Sequence, residues 1–421
     1  MMTHRERVLT ALHHREPDRV PVDLGSTTVT GIHVSALDRL RRAVLGPRAR
    51  GRVRVHEPYQ MLGEVDRDLR DALGVDTVGV FPRTTMFGFE CRDWKPLTLF
   101  DGTECEVPGG FEITVTPEGD WLIYPEGDRS APPSGRMPAG GYFFDAIIRQ
   151  PSLDESKLNP ADNTEEFKDL TEDDLQWYEA RAQTAAAEGR AVVLSMPGTA
   201  FGDIALVPAP WMKYPRGIRD VAEWYASLVE RPAYIRAVFD RQCEVGLRNL
   251  DRMIRRLGEL VDVVLLTGTD FGEQRGPFIS PEMYRELFKP YHIVLNRYVH
   301  ESSRWKTMMH SCGSVYDLIP DFIEAGFDIL NPVQCSAAKM DPRVLKREFG
   351  RQIVFWGGGV NTQETLPFGT PEDVYREVRE RIEIFSEGGG FVFDTVHNIQ
   401  GNTPTENILA MFRAIHDSQP K

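Results

Sequence analysis

The chain has 421 residues and a formal net charge of −14 at pH 7. Because nucleic-acid binding depends on a basic surface, this charge argues against nucleic acid as a main partner. No apolar run approaches the ~20 residues of a membrane span, and the N-terminal segment lacks the apolar core of a secretory signal. We therefore expect a globular protein away from membranes, with a small molecule as its substrate.

Cysteine usage predicts a reduced, cytoplasmic location. An odd number of cysteines without a framework spacing does not fit a disulfide-stabilised secreted protein. The composition leaves a homodimer open. The five cysteines are Cys91, Cys105, Cys243, Cys312 and Cys335.

Eight short apolar runs recur along the chain, each ending near glycine, proline or asparagine. Runs that are apolar on both faces are typical of strands in a parallel sheet. Helical patterns alternate with them, so the sequence predicts an α/β protein, a single (β/α)₈ TIM barrel spanning 1–421, with a doubly wound open sheet as the alternative. The predicted strands are 19–25, 75–82, 191–198, 261–268, 306–313, 327–333, 352–359 and 390–398.

Residues 83–150 interrupt this alternation after the second predicted strand. Asp-Gly, Pro-Gly-Gly and Glu-Gly-Asp turns separate short alternating runs there, which predicts an inserted β-meander followed by a loop. An insertion in a βα loop lies at the catalytic end of a barrel. The flanking stretches 33–45 and 60–73 are predicted to be helices that wrap the barrel.

Helix signals separate the later strands. Ser280 and Pro281 form a typical helix start, and Gly326 is a plausible C-terminal glycine. The stretches 370–390 and 403–417 each open on threonine and proline in the same way.

The stretch MMHSCGSV, 308–315, contains the most informative pair of residues. Alternation along a strand directs His310 and Cys312 to the same face, at the strand end where barrel enzymes place their sites. Imidazole and thiolate are zinc ligands, although such a pair can also be a packed histidine beside a buried thiol. A third ligand would be His397, which closes the last strand, or Cys335, which follows the sixth.

Polar side chains at other predicted strand ends are candidates for the substrate pocket. Any one of them could simply serve a turn, but together they fit the loops that form a barrel's pocket. Asp270, after the fourth strand, is predicted to be catalytic as a proton donor or acceptor. The predicted substrate-binding residues are Gln274, Asn331, Gln334 and Asn361.

The motifs HSCGSV, AGFDILNPVQ, FWGGGVNTQ and HNIQGNTPTENI together resemble the uroporphyrinogen decarboxylase superfamily, whose members are (β/α)₈ barrels. The resemblance covers nearly the whole chain. True decarboxylases hold tetrapyrrole carboxylates with an arginine-rich segment near the first strand. The corresponding stretch here, VPVDLGSTTVTGI, contains no arginine.

The second branch of that superfamily comprises zinc-dependent methyltransferases that work with corrinoid proteins. By resemblance, His310 and Cys312 match two of their zinc ligands. The third position falls at His397, where those methyltransferases have cysteine. The resemblance therefore implies a Zn²⁺ site at His310, Cys312 and His397, and a corrinoid (cobalamin) carried by a partner protein.

Our leading hypothesis is a zinc-dependent methyltransferase that moves a methyl group between a small methylated substrate or thiol and a corrinoid protein. The alternative is a metal-free, decarboxylase-like lyase for a small carboxylate, which needs a cationic anchor such as Arg275. A corrinoid- or ligand-binding module without catalysis is the third possibility.

Overall fold

The computed structural model describes residues 2–418. Its strands are β1 (Val53–Glu57), β2 (Leu62–Gly63), β3 (Thr77–Val80), β4 (Lys95–Thr98), β5 (Glu104–Val107), β6 (Ile113–Val115), β7 (Trp121–Ile123), β8 (Gly135–Met137), β9 (Asp145–Ala146), β10 (Ala191–Ser195), β11 (Val263–Thr267), β12 (Lys306–His310), β13 (Ile329–Asn331), β14 (Val354–Trp356) and β15 (Phe391–Val392).

The helices lie mainly between these strands. They are α1 (His4–Leu12), α2 (Val34–Leu45), α3 (Arg67–Leu73), α4 (Glu172–Ala186), α5 (Val221–Glu230), α6 (Pro232–Leu257), α7 (Pro281–Leu287), α8 (Lys289–Ser302), α9 (Ile319–Glu324), α10 (Pro342–Phe349), α11 (Thr365–Phe368), α12 (Pro371–Ser386) and α13 (Thr405–Asp417). No helix within residues 2–418 is long and apolar enough to cross a bilayer.

A curled parallel sheet forms the centre of the fold. Its strand order is β15-β14-β13-β12-β11-β10-β3. The first predicted strand forms only a single bridge, between Val22 and Phe393. The segment 20–24 nevertheless bonds to both edges of the sheet, since Asp23 N donates to Phe393 O at 2.8 Å and Asp76 N donates to Val22 O at 2.7 Å. The TIM-barrel prediction is therefore confirmed.

Helix α1 covers the end of the barrel at which the strands begin. Val8 and Leu12 are buried against side chains from inside the sheet, including Met308. The helix is also tied by backbone bonds to the residues that precede two strands. Arg5 N donates to Gly189 O at 3.2 Å, and Gly390 N donates to Ala11 O at 3.0 Å. The opposite end of the barrel carries the strand-end polar residues.

The region from 53 to 146 differs from the expected meander. β6, β7, β8 and β9 do form an antiparallel meander, but β4 and β5 join β1 and β2, and the β1–β5 pairing is parallel. In the predicted helical stretch 60–73 only α3 is helical. Strand β1, VRVHE, does alternate apolar and polar side chains, but it was not predicted, because the arginine-rich stretch that contains it is typical of a solvated helix face and its pairing with β5 is distant in sequence.

Two of the later helices begin where their caps predict, whereas α13 begins one residue later than predicted, at Thr405, and Pro404 at its N-cap provides no side-chain cap. Ser280 Oγ accepts a hydrogen bond from Met283 N at 3.1 Å, and Thr370 and Asp373 cap α12 reciprocally. The expected single helix after Ser280 is split into α7 and α8. Pro290 lies in the first turn of α8. Because proline has no N–H group, it cannot donate the backbone hydrogen bond that would continue α7 into α8.

Candidate metal centre

His310 is the last residue of β12 and is almost fully buried. Its Nδ1 lies 2.6 Å from Asn331 Oδ1 on the neighbouring strand β13. The Asn331 amide nitrogen donates to Trp356 O at 2.9 Å, which directs its Oδ1 toward the imidazole. Nδ1 therefore carries the proton, and the lone pair of Nε2 remains free for a metal ion.

Cys312 lies two residues farther on, with its Sγ 3.4 Å from His310 Nε2. Its backbone N–H donates to Asp270 Oδ1 at 2.6 Å, and the same oxygen lies 3.8 Å from His310 Nε2. The loop after β11 is thereby fixed to the loop after β12. Asp270 remains partly accessible, with 25% of its side chain exposed.

His397 completes a three-residue cluster. One donor atom from each of His310, Cys312 and His397 lies within 4.8 Å of the other two. The two imidazole ring centres are 5.6 Å apart, with the ring planes at 68°. The Thr395 hydroxyl donates to the His397 carbonyl at 2.6 Å and holds the backbone that carries this side chain.

The electrostatics of the cluster leave both imidazoles neutral at neutral pH. Burial lowers the pKa of His310 and of His397 to about 4. Burial, reinforced by the nearby Asp270, raises the pKa of the Cys312 thiol well above its usual value. Without a metal the thiol is therefore protonated, and a bound metal cation would displace that proton.

This donor set fits zinc. Two neutral imidazole nitrogens and one thiolate sulfur are its usual protein ligands, and three protein ligands leave one position open for a substrate, as in catalytic sites. The hydrogen bond from His310 to Asn331 is the outer-shell support that ligating histidines commonly have.

Of the four predicted substrate-binding residues, two adjoin the cluster of His310, Cys312 and His397. Gln334 lies at the cluster, where its Oε1 accepts from Gly313 N at 2.8 Å, and Asn331 supports His310 from below. Asn361 caps a turn by accepting from Gln363 N at 2.8 Å. Gln274 is exposed and reaches Gln363 Oε1 at 3.3 Å. Their direct contact with a substrate stays a prediction.

Two other candidates lie outside the cluster. The Cys335 thiol lies 3.5 Å from the carbonyl of Val333, and the charges that act on it most strongly are those of Arg381 and Glu377 on α12. It is not part of the three-residue group found within residues 2–418. Arg275 is exposed in the loop after β11, so it gives no support to a buried carboxylate anchor.

Three further side chains on the same side of the barrel as Asp270 were not predicted. They are Asp203, Tyr225 and Tyr59. Burial and the charge of Asp270 raise the pKa of Asp203 to about 7. The Tyr225 hydroxyl lies 3.4 Å from Asp270 O. Asp203 follows the third predicted strand, so the rule that selected Asp270 could have found it. The tyrosines come from α5 and the segment between β1 and β2, which no strand-end pattern marks.

Comparisons with known proteins give three similarities. The family model for uroporphyrinogen decarboxylase (URO-D) matches residues 166–418. A methylated-thiol–coenzyme M methyltransferase from Methanosarcina mazei is 28% identical over 140 residues, which cover 33% of this chain and 34% of the relative. The match thus spans about a third of that relative's length. A solved methyltransferase structure from Methanosarcina mazei has a TM-score of 0.53 at 15% identity, covering 99% of each chain, and shares the fold.

Proposed function

Because the chain belongs to the uroporphyrinogen decarboxylase (URO-D) family, we propose that it is a zinc-dependent methyltransferase. It moves a methyl group between a small methylated substrate or thiol and a corrinoid carried by a partner protein. The observation that carries this proposal is the convergence of His310, Cys312 and His397 at the barrel mouth. The partial similarity to a methyltransferase that acts on methylated thiols supports the reaction class.

Each residue of the centre has a distinct role in this proposal. His310 Nε2, Cys312 Sγ and a ring nitrogen of His397 would hold the ion, which would supply Lewis-acid activation of a bound heteroatom or thiol. Asn331 keeps the proton on Nδ1 of His310. Asp270 takes or returns the proton of the substrate heteroatom, because its raised pKa suits a group that exchanges protons.

The first test is the zinc content of the purified protein. We expect about one zinc per chain, consistent with one cluster of three ligands. Cys312→Ser and His397→Ala should lose zinc, whereas Cys335→Ser, a matched thiol outside the cluster, should retain it. Replacement by Co²⁺ adds a readout independent of activity, since the thiolate-to-cobalt absorption band should vanish in Cys312→Ser. A zinc-free protein whose activity survives Cys312→Ser would refute the proposal.

The second test is methyl transfer itself. Zinc-loaded protein is incubated with a reduced corrinoid and a panel of methylated amines, thioethers and phenyl ethers, and methylation of the corrinoid is followed by its absorption spectrum. We expect transfer from at least one class, and loss of that transfer in His310→Ala. Release of carbon dioxide from a carboxylate substrate by zinc-free protein would support a lyase instead.

Location and partners form part of the same proposal. We propose a cytoplasmic location, because five cysteines without a framework spacing are typical of a reduced protein. A corrinoid protein, and no nucleic acid, is the macromolecular partner that we propose, and a homodimer is compatible with it.

A further inference from the structure

We propose that the junction between the insertion and helix α2 binds a small neutral phenol. The inference goes beyond the proposed function, because none of the candidate zinc ligands belongs to this site. It rests on a cavity of about 160 Å³ between these two parts of the chain. Cavities of about 150 Å³ accommodate a benzene ring, so this one has room for a single aromatic ring that carries a hydroxyl group.

Most of the cavity wall is apolar. The insertion supplies Leu99, Phe100 and Met137, and the segment between β1 and β2 supplies Met61. Both methionines are buried, whereas Phe100 is 38% exposed and packs on Trp121 with the ring centres 4.4 Å apart. Methionine sulfur makes favourable contacts with aromatic rings, and its unbranched chain adapts to their shape. The wall therefore suits a flat aromatic ligand.

The polar part of the wall contains a buried hydroxyl group without a partner. Ser35, in the first turn of α2, is fully buried, and its Oγ has no hydrogen-bond partner within residues 2–418. A buried polar group without a partner is unfavourable, and native structures contain few of them. The backbone nitrogen of Ser35 is already bonded to His33 Nδ1 at 3.1 Å. A ligand hydroxyl in the cavity would supply the bond that the side chain lacks.

Asp101 lines the same cavity and provides an acceptor. Its Oδ1 accepts from Thr103 N at 3.0 Å. Although burial acts in the opposite direction, the Thr103 N–H and the nearby Ser35 hydroxyl lower the pKa of Asp101, so the side chain is a carboxylate at neutral pH. The two side chains are thus close to each other, but no hydrogen bond joins them. A phenol oxygen between them can donate to Asp101 and accept from Ser35.

The charges around the cavity favour a neutral ligand over a cation. Of the lining residues found within 2–418, only Asp101 is charged, and Arg39 Nη1 lies 3.9 Å from its Oδ2. Burial lowers the pKa of His33 to about 4, so its imidazole is neutral, and Nε2 donates to Tyr142 O at 2.9 Å. An ammonium ligand would bring a second positive charge next to Arg39. A hydroxyl group brings none.

The cavity adjoins the loop that carries His397. His33 N donates to Ile399 O at 2.8 Å, and Arg39 Nη2 donates to Gly401 O at 2.7 Å. A bound phenol would therefore contact both the insertion and the helix that is bonded to this loop. The inserted segment thereby acquires a ligand-binding role outside the candidate metal centre.

The test compares ligands of similar shape that differ in their polar group. Calorimetry on the full-length protein as purified measures the affinity for phenol, for toluene, which has a methyl group in place of the hydroxyl, and for the cation benzylammonium. We expect one phenol per chain, bound about tenfold more tightly than toluene, because a hydrogen bond to a carboxylate is among the stronger ones. Absence of phenol binding, equal affinities for phenol and toluene, or tighter binding of benzylammonium would overturn the inference.

Ser35→Ala removes the unpartnered hydroxyl. It should weaken phenol binding about fivefold, the effect of one neutral hydrogen bond, without weakening the binding of toluene. Ser134→Ala is the matched control, because Ser134 is also fully buried with no partner for its Oγ but does not line the cavity. Equal phenol affinities in the two variants would overturn the inference.

Cys312→Ser tests where the phenol binds. The site at α2 does not depend on the metal centre, so this variant should bind phenol with wild-type affinity. Loss of phenol binding in Cys312→Ser would locate the ligand at the metal centre and would also overturn the inference. The zinc content of the same samples tests the proposed function separately.

Discussion

The tautomer of His310 is decided by Asn331, which is not one of the three candidate metal ligands. The side-chain nitrogen of Asn331 donates a hydrogen bond to Trp356 O. This bond fixes the amide group so that its oxygen points toward the His310 imidazole. A neutral histidine can place its proton on either nitrogen, and here the acceptor at Nδ1 selects the form that presents Nε2 to the cluster. Under the proposed function, Asn331 is therefore the residue at which metal affinity can be altered without removing a ligand.

Asn331→Leu should weaken zinc binding about 10- to 100-fold, the usual effect of losing an outer-shell partner. The leucine removes the acceptor at Nδ1, so the imidazole can also populate the form that protonates Nε2. Competition with a chromogenic chelator measures the affinity.

Asn407→Leu is the control for this change. Asn407 is equally buried and donates to two backbone carbonyls, Leu366 O and Gly369 O, far from the cluster. The Asn407→Leu protein should be less stable than the wild type but should keep the same zinc affinity. Unchanged affinity in Asn331→Leu would show that Asn331 does not set the tautomer.

At the scale of elements, two loops pack backbone to backbone beneath Asp270. Ser314 N donates to Glu273 O at 2.8 Å, and Gly313, with φ of +83°, lies against Gly272. A Cβ on Gly313 would come within 2.4 Å of the Gly272 carbonyl carbon. The position of Cys312 thus depends on the absence of a side chain at the next residue.

Gly313→Ala should destabilise the protein and displace Cys312. The left-handed backbone costs about 1–2 kcal/mol, and overpacking against Gly272 adds ~1–3 kcal/mol. Gly388→Ala is the matched control, with φ of +71° and open space at the Cβ position. It should show only the backbone cost, and its zinc content should stay normal. Urea denaturation measures both, and equal destabilisation of the two variants would contradict the packing argument.

Helix α8 carries His292, which is fully buried among aromatic rings and bonded through Nδ1 to the Tyr284 hydroxyl at 2.9 Å. Burial lowers its pKa from 6.5 to about 3. Between these pH values only the unfolded chain takes up this proton. The free energy of unfolding therefore falls as pH decreases through the window, by about 1.4 kcal/mol per pH unit from this residue.

His292→Phe should remove that slope. Urea denaturation of metal-free protein between pH 4.5 and 6.5 should show a smaller pH dependence than in the wild type, by about half a proton at pH 6.5 and by nearly one proton at pH 4.5. His416→Phe, at an exposed histidine on α13, should keep the wild-type dependence. Identical slopes in all three proteins would mean that His292 is protonated in the folded state.

Strands that are buried on both faces could be predicted from the sequence. A site whose residues come from several strands and loops could be predicted only in part. β10 to β13 are apolar runs whose ends mark the mouth, and the two-residue period alone placed His310 and Cys312 on one face. β1 escaped prediction because it pairs with the distant β5, a contact that local pattern does not encode. The proximity of Asp203 to Asp270 has the same origin.

At the scale of the whole molecule, Asp76 connects the elements that meet where the barrel closes. It is fully buried at the start of β3, and its carboxylate accepts from Arg7 Nη1 at 2.7 Å, from Arg19 Nη1 at 2.7 Å and from Val22 N at 2.9 Å. One side chain thereby joins α1, the closing segment 20–24 and the first full strand of the sheet.

Asp76→Asn should destabilise the protein by about 3–5 kcal/mol, because Arg19 loses the charge that compensates it and Arg7 keeps only its pair with Asp18. Glu104→Gln is the surface control, since Glu104 is mostly exposed in its pair with Arg52, and its effect should stay within about 1 kcal/mol. Equilibrium denaturation measures both. A loss below that of the control would show that the network does not hold the barrel closed.

The cover that α1 forms over one end of the barrel has a kinetic consequence for a transfer between two reactants. A small substrate and a large carrier protein would have to use the same opening, because the base is filled by Val8 and Leu12. Under the proposed function, a docked carrier obstructs entry of the substrate. Initial-rate measurements should therefore give the pattern of a compulsory order, with the small molecule first, and excess carrier should inhibit turnover.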